Sequence, residues 1–238
     1  MSAKVFLIPQ FLSFESDVDS IPRSVVAAIS SVRFFIVEEE KSARRFLRKL
    51  IPDFPLQACV FLRFSEHSSK KEIPEFWAQT EGQDVGIISE AGCPCVADPG
   101  AEIVLAAHHL GRTVVPLVGP SAILLALMAS GLNGQNFAFN GYLPKERVDR
   151  IKKIRELERR AADGQTQIFM ETPYRNQHLL EDVLSSCRPD TLLCLAVDLM
   201  GPNQFIKTLP VQAWRKESVA LDKRPAIFLI QTLSANTR

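Results

Sequence analysis

Residues 89–100 read SEAGCPCVADPG. They follow an apolar run at 85–88 that is typical of a buried strand, and they precede a helical pattern over 101–110. Two glycines and two prolines shape the intervening loop, which also carries the carboxylates of Glu90 and Asp98. In an α/β sheet, a shaped loop between a strand and a helix is a common ligand site. A plain strand-to-helix turn is the alternative.

The same alternation of apolar runs and helical patterns extends along the whole chain. In the first half the predicted strands cover residues 5–8, 34–37, 57–61, 85–88 and 113–117. In the second half they cover residues 136–142, 167–170, 192–197, 205–208 and 226–233, with a hairpin at 205–208 and a long helix over 148–162. Alternating strands and helices favour a mostly parallel sheet in the first half. We therefore predict an α/β protein with an N-terminal domain at 1–117 and a C-terminal domain at 118–238.

Composition and charge narrow the class of protein. The 238 residues are 46% hydrophobic and carry a net charge of +1, so no global field indicates binding to nucleic acid or membrane. Five cysteines without framework spacing fit a reducing compartment. No pattern typical of a signal peptide or a membrane span is present. We expect a cytoplasmic protein that does not enter a membrane.

Several common catalytic devices are missing. The sequence has no phosphate-binding P-loop, no dinucleotide-binding glycine motif and no nucleophile elbow. The Cys93-x-Cys95 pair lacks a matching second pair, and His108 and His109 point in different directions on a helix, so we predict no metal site. Polar loops after successive strands should instead form a cleft of backbone and small side chains. Such a cleft suits an organic cofactor that supplies the difficult chemistry itself.

A basic segment lies in the second half. Residues 145–160 carry eight Lys or Arg against four Asp or Glu. One interpretation is a surface that binds phosphates. The other is an ordinary solvated helix face with pairs such as Asp149 with Lys153.

Four ordered segments resemble motifs of the tetrapyrrole methylase superfamily. Residues 89–100 are similar to its SDAGTPxxSDPG, and VVPLVGPSA at 114–122 is similar to its VVPxPGPSA. FNGYLPK at 139–145 resembles FxGFLP[RK], and ETPYR at 171–175 resembles E[ST]P[HY]R. Within the superfamily, the nearest branch looks like the small-subunit ribosomal RNA 2′-O-ribose methyltransferases of the RsmI type.

This resemblance implies two α/β domains with S-adenosylmethionine in the cleft between them, within a homodimer. It implies methylation of a ribose 2′-hydroxyl of ribosomal RNA in the small ribosomal subunit. Carried over by position, the cofactor-binding residues are Gly92, Cys93, Pro94, Val96, Ser121, Ala122, Met170, Glu171, Pro225, Ala226 and Ile227.

A ribose hydroxyl is a weak nucleophile, so a nearby base should assist its attack. The candidate catalytic carboxylates are Asp98, Glu39 and Glu90, and Lys145 or Arg175 is the candidate to hold a phosphate. The alternative role for Asp98 is to cap the helix that starts near Gly100.

Two other functions stay open. One is methylation of a tetrapyrrole or another small molecule, which the near-neutral charge favours, as does a chain that ends at Arg238 before the further C-terminal segment typical of the ribosomal branch. The other is a binding protein that kept the fold and lost the chemistry. It is suggested by the first loop, IPQFL at 8–12, which lacks the glycine of the family's TPIGNL.

Overall fold

The computed structural model describes residues 3–15, 18–65 and 67–232. It consists of two compact units, residues 1–121 and 122–238, and each is built on its own five-stranded sheet. The sequence-predicted division at 117/118 falls just before the first helix of the second unit. The predicted class, two α/β domains, is confirmed.

The N-terminal unit is a parallel sheet in the order β3-β2-β4-β1-β5. Its strands are β1 (Lys4–Ile8), β2 (Phe34–Val37), β3 (Val60–Arg63), β4 (Val85–Ile88) and β5 (Thr113–Pro116). Its helices are α1 (Arg23–Ile29), α2 (Glu40–Leu50), α3 (Ile73–Gln79) and α4 (Gly100–His109). The predicted strand at 57–61 is displaced because residues 56–58 form a 3₁₀ turn after Pro55, so β3 begins at Val60.

Burial explains why β4 is an uninterrupted apolar run. It lies between β1 and β2, and all four of its residues are buried. Residues of α1 and α2 pack on one side of the sheet and residues of α3 and α4 on the other. Gly86 is required here because a Cβ would come within 2.6 Å of Ile8 and 2.8 Å of Phe35. Because these strands are parallel, the carboxyl ends of β1, β2, β4 and β5 lie at the same end of the sheet.

The C-terminal unit is a mixed sheet in the order β6-β7-β10-β8-β9. Its strands are β6 (Phe137–Tyr142), β7 (Thr166–Met170), β8 (Leu192–Val197), β9 (Phe205–Pro210) and β10 (Ala226–Gln231). Its helices are α5 (Ala122–Ser130), α6 (Arg147–Ala161), α7 (Asn176–Ser186) and α8 (Val211–Trp214). β6 and β7 are parallel, and the other pairings are antiparallel. The predicted hairpin is present, since β9 pairs with β8.

The central strand β10 is buried from Ala226 to Ile230 because helices cover both of its faces. Phe228 and Ile230 belong to a core shared with α6, α7 and α8, whereas α5 packs against β8, β9 and β10. The last predicted strand residue, Leu233, lies outside the described residues. In the part of the chain that the structure describes, no helix is long and apolar enough to cross a membrane.

Candidate functional site

A buried glutamine holds the loop that follows β4. Gln10 has no exposed surface, and its amide nitrogen donates to the backbone carbonyls of Ser89 and Glu90. Its own backbone exchanges two hydrogen bonds with Gly92, one of 2.9 Å and one of 3.2 Å between nitrogen and oxygen. The first loop of the chain and the loop at 89–100 are therefore one hydrogen-bonded structure.

Gly92 allows the loop to pack closely at this contact. Its φ of +69° is in the left-handed region, and a Cβ would lie 3.2 Å from the side chain of Leu12 and 3.5 Å from the carbonyl oxygen of Pro120. Glycine at this position therefore lets the loop pack against Leu12 and Pro120, and the role of Gly92 in cofactor binding stays a prediction. The neighbouring Cys93 places its Sγ 3.5 Å from the Pro120 carbonyl oxygen, next to Ser121.

Asp98 shapes the second half of the same loop. Its two carboxylate oxygens accept hydrogen bonds of 2.7 Å from the backbone nitrogens of Cys95 and Gly100. Cys95 and Ala97 have φ values of +68° and +62°, a region that costs non-glycine residues about 1–2 kcal/mol each. Burial raises the pKa of Asp98, and the two backbone donors oppose that rise. The carboxylate thus stabilises a strained turn at the start of α4.

The other two candidate carboxylates, those of Glu39 and Glu90, have different surroundings in the structure. Glu39 accepts a hydrogen bond from the Lys41 nitrogen at the start of α2 and forms an ion pair with Arg63. Glu90 is exposed, and its carboxylate has no hydrogen bond or ion pair within the described residues. The acid that contacts the loop from β2 is Glu38, whose Oε2 accepts from the Glu90 backbone nitrogen at 3.3 Å.

The loop cysteines are protonated at neutral pH. Burial raises the pKa of Cys93, and burial with the adjacent Asp98 raises the pKa of Cys95 to about 12. A protonated thiol is a poor nucleophile and a poor metal ligand. Within residues 3–15, 18–65 and 67–232, no three His, Cys, Asp or Glu side chains are grouped as metal ligands would be.

A second group of predicted cofactor residues meets in the C-terminal unit. Because β10 runs antiparallel to β7, Met170 at the end of β7 pairs with Ile227 near the start of β10. Ala226 and Ile227 are buried, and Pro225 before them is exposed. The sheet therefore brings residues from two distant parts of the sequence to one edge.

Glu171, which follows β7, has an incomplete set of partners. Its Oε1 accepts hydrogen bonds from the Thr172 nitrogen and the Arg175 guanidinium. Its Oε2 is buried, and no described residue donates to it. A buried carboxylate oxygen without a donor is costly, and a bound ligand is one way to satisfy it.

The remaining predicted residues are placed as follows. Pro94 is buried in the N-terminal loop, and Val96 in the same loop is half exposed. Ala122 begins α5. Lys145 is exposed, and its carbonyl accepts a 2.7 Å hydrogen bond from Arg150. The structure thus brings Cys93 next to Ser121 and Met170 next to Ile227, and it places Lys145 in a different unit from the three carboxylates.

A buried ion pair holds the segment that contains Lys145. Arg150 and Asp182 are both at least nine-tenths buried, and their side chains form a hydrogen-bonded pair between α6 and α7. Arg147 joins the same carboxylate at 2.9 Å. Since Arg150 also donates to the Lys145 carbonyl, the pair fixes the residues before α6.

Comparison with known proteins identifies the family. The model of the Tetrapyrrole (Corrin/Porphyrin) Methylases matches residues 16–211 of this chain. The chain belongs to the tetrapyrrole methylase family. It is therefore a methyltransferase, as the sequence resemblance implies.

Two relatives of this methylase carry the name Ribosomal RNA small subunit methyltransferase I. The Pseudomonas aeruginosa protein is 30% identical over 196 residues, which are 82% of this chain and 67% of that protein. The Mesorhizobium japonicum protein is 42% identical over 160 residues, which are 67% of this chain and 53% of that protein. The crystal structure of the methyltransferase CobJ has a TM-score of 0.64 at 18% identity, with 100% of this chain and 95% of that chain covered, and this likeness shows the fold alone.

Sequence reasoning missed Gln10, Glu38 and the Arg150–Asp182 pair of this methylase. A sequence feature could have indicated the buried role of Gln10, because it is the one amide inside the apolar run VFLIPQFL. A sequence feature could also have indicated Arg150, since it shares the buried helix face of Ile154 and Leu157. No feature of the sequence distinguishes Glu38 from Glu39 and Glu40. Only the contact of Glu38 with the loop after β4 separates it from the other two.

Proposed function

We propose that this methylase transfers the methyl group of S-adenosylmethionine to a ribose 2′-hydroxyl of small-subunit ribosomal RNA. The observation that carries the proposal is the similarity to relatives named for small-subunit ribosomal RNA, at 30% identity over 82% of this chain. The motifs at 139–145 and 171–175 support the same choice. We further propose that both groups of cofactor candidates contact S-adenosylmethionine.

The fit of this cofactor rests on Glu171. Its Oε2 is an acceptor without a donor in the described chain, and the cofactor carries hydroxyl and ammonium donors. Its Oε1 is fixed by Arg175 and the Thr172 nitrogen, so the free oxygen is already oriented. The residues at the ends of β7 and β10 therefore suit the group.

The first loop of this chain is compatible with cofactor binding. Phe11 stands where the family has its glycine, and its side chain is 2% exposed and packs on the Phe46 ring at a centroid distance of 5.1 Å. The bulky side chain therefore enters the core of the N-terminal unit and leaves the loop surface clear. This argues against the alternative of a binding protein that lost its chemistry.

The chemistry divides among a few residues. When bound, S-adenosylmethionine supplies an activated methyl group on a sulfonium. We assign Glu90 as the base that accepts the hydroxyl proton while the oxygen–carbon bond forms and the sulfur–carbon bond breaks, because its carboxylate is the one of the three candidates that no described group engages. Lys145, exposed at the start of α6, is assigned to a phosphate of the RNA. Asp98 and Glu39 then keep the structural roles described above.

The test uses purified protein, methyl-labelled S-adenosylmethionine and small ribosomal subunits from cells that lack their own ribose methylases. We expect label in the RNA, and a loss of about 100- to 10,000-fold in turnover for Glu90→Gln with unchanged cofactor affinity by calorimetry. Glu39→Gln is the matched control and should keep its turnover. Cofactor binding with label only in an added tetrapyrrole would replace the RNA proposal, and no heat with S-adenosylmethionine would reject the methyltransferase activity itself.

The proposed function also carries an expectation for the cellular location and the oligomeric state of this methylase. We expect a cytoplasmic homodimer. Light scattering of the purified chain at micromolar concentration checks the assembly, and a monomeric mass would contradict it.

A further inference from the structure

Three cations of α6 form a continuous row on its solvent side. Lys152, Arg155 and Arg159 follow one another at intervals of three and four residues, which places them on one helix face. All three are exposed, whereas Ile154 and Leu157 on the opposite face are fully buried. We call these three residues the α6 stripe.

The stripe differs from the other cations of the helix in forming no ion pair within the described residues, although the pKa of Glu156, which the hydrogen bond from Lys153 lowers most, is also lowered by the charge of Arg159. Arg147 and Arg150 are paired with Asp182. Lys153 and Arg160 are both paired with Glu156, rather than Lys153 with Asp149 as the sequence pattern suggested. No ion pair within residues 3–15, 18–65 and 67–232 engages a member of the stripe.

The charge of the whole chain is also distributed unevenly. Residues 1–121 contain twelve Lys or Arg and fifteen Asp or Glu, whereas residues 122–238 contain sixteen and twelve. The near-neutral total therefore conceals a C-terminal unit with a net charge of +4. A charge asymmetry of this kind between two halves is typical of proteins that bind a polyanion with one of them.

The geometry of the stripe matches a phosphate backbone. At a rise of 1.5 Å per residue, Lys152 and Arg159 are about 10 Å apart along the helix axis, a length over which a nucleic acid strand presents about three phosphates. The helix is held in place by the buried Arg150–Asp182 pair, so the cations are presented from a rigid element.

We propose that the α6 stripe binds the sugar-phosphate backbone of the RNA. This inference rests on the proposed function, because it names the surface that holds the RNA during methyl transfer. Phosphate contacts of this kind fix position and orientation, while sequence selection comes from other contacts. The stripe therefore acts in RNA affinity and has no part in binding S-adenosylmethionine.

The test compares two triple variants of equal charge. The first is Lys152→Gln, Arg155→Gln and Arg159→Gln. The matched control is Arg23→Gln, Lys71→Gln and Lys216→Gln, which removes three exposed cations that likewise have no ion pair in the described chain. Binding of transcribed small-subunit ribosomal RNA is measured by filter retention from 50 to 400 mM salt, and thermal unfolding and cofactor calorimetry confirm that both variants are folded.

We expect the stripe variant to lose about 100-fold in RNA affinity at 0.1 M salt, and the slope of log affinity against log salt to fall by about two to three. The control and the cofactor affinity should stay unchanged. Equal RNA affinity and equal slope in the two variants would overturn the inference, as would failure of the wild-type protein to retain RNA.

The same proteins distinguish this inference from the proposed function. Suppose that, at one low RNA concentration, the wild-type protein and the stripe variant methylate the RNA at equal rates. The proposed function then stands, and the proposal that the stripe binds RNA is rejected. If wild-type protein binds the RNA through the stripe but transfers no methyl group, the surface stands and the methylation proposal is rejected.

Discussion

In the N-terminal unit both oxygens of Asp98 accept backbone hydrogen bonds, whereas in the C-terminal unit one oxygen of the buried Glu171 has no donor among the described residues. The same contrast holds for charge, since the first unit has an excess of three acids and the second an excess of four bases. Asp98 satisfies backbone nitrogens of its own loop and so fixes the shape of that loop, while the exposed Glu90 in the same loop has no partner among the described residues. The C-terminal unit has one buried acceptor without a donor and three exposed cations without an ion pair among the described residues, and we propose that these groups bind ligands.

The largest expected effect comes from the ion pair that supports the C-terminal unit. Asp182→Ala leaves the buried Arg150 without its carboxylate, and we expect a loss of about 3–5 kcal/mol in the free energy of unfolding. Denaturant unfolding measures it. Asp190→Ala is the control, because Asp190 pairs with Arg188 at the surface and should cost at most about 1 kcal/mol. Equal losses in the two variants would mean that the buried pair does not support the unit.

The corresponding support in the N-terminal unit is a neutral amide. Gln10→Ala removes the donor to two carbonyls in and beside the buried part of the loop, and we expect a loss of about 2–4 kcal/mol. Gln57→Ala, an exposed glutamine, should change stability by no more than about 0.5 kcal/mol. A Gln10 variant as stable as wild type would show that the loop does not depend on this residue.

The open acceptor in the C-terminal unit predicts an effect on affinity. Glu171→Gln removes the charge that would receive a cofactor donor, and we expect S-adenosylmethionine to bind roughly 10- to 100-fold more weakly by calorimetry. Glu181→Gln, an exposed change on α7, is the control. Unchanged affinity in the Glu171 variant would remove the argument that its Oε2 binds the cofactor.

The smallest effect concerns the pH dependence of the N-terminal loop. Burial raises the pKa of Asp98, so the folded state binds its proton more tightly than the unfolded state does. Its ionisation therefore lowers stability as pH rises from the ordinary aspartate value of about 4 through the raised folded value, and the effect is constant above it. The stability of wild type relative to Asp98→Asn should therefore fall over that range, which denaturant unfolding at a series of pH values measures. A difference that rises with pH would contradict the raised pKa.

Sequence patterns predicted the fold because the physical signal is local. The apolar run of β4 and the alternation of strands and helices require burial on both faces of a parallel sheet, and that sheet is present. The third strand was misplaced by three residues, because the turn at 56–58 depends on how Pro55 closes against its neighbours. Hydrophobic periodicity does not predict short-range turn geometry of this kind.

The candidate site was predictable only where motifs are contiguous. Residues 92–96 and 170–171 could be named from their own segments, whereas the role of Gln10 depends on a contact about eighty residues away. The three carboxylates also looked equivalent in one dimension. Their different partners, two backbone nitrogens for Asp98, an arginine for Glu39 and no described partner for Glu90, exist only in the folded chain.

The identity of the methylated nucleoside decides whether this methylase acts on a ribose of ribosomal RNA. Small ribosomal subunits methylated by the purified protein are digested to nucleosides and analysed by mass spectrometry, with the modified position mapped by primer extension. We expect one 2′-O-methylated ribose, formed more slowly by the stripe variant at low RNA concentration. A methyl group on a base, or none in the RNA while S-adenosylmethionine still binds, would contradict it.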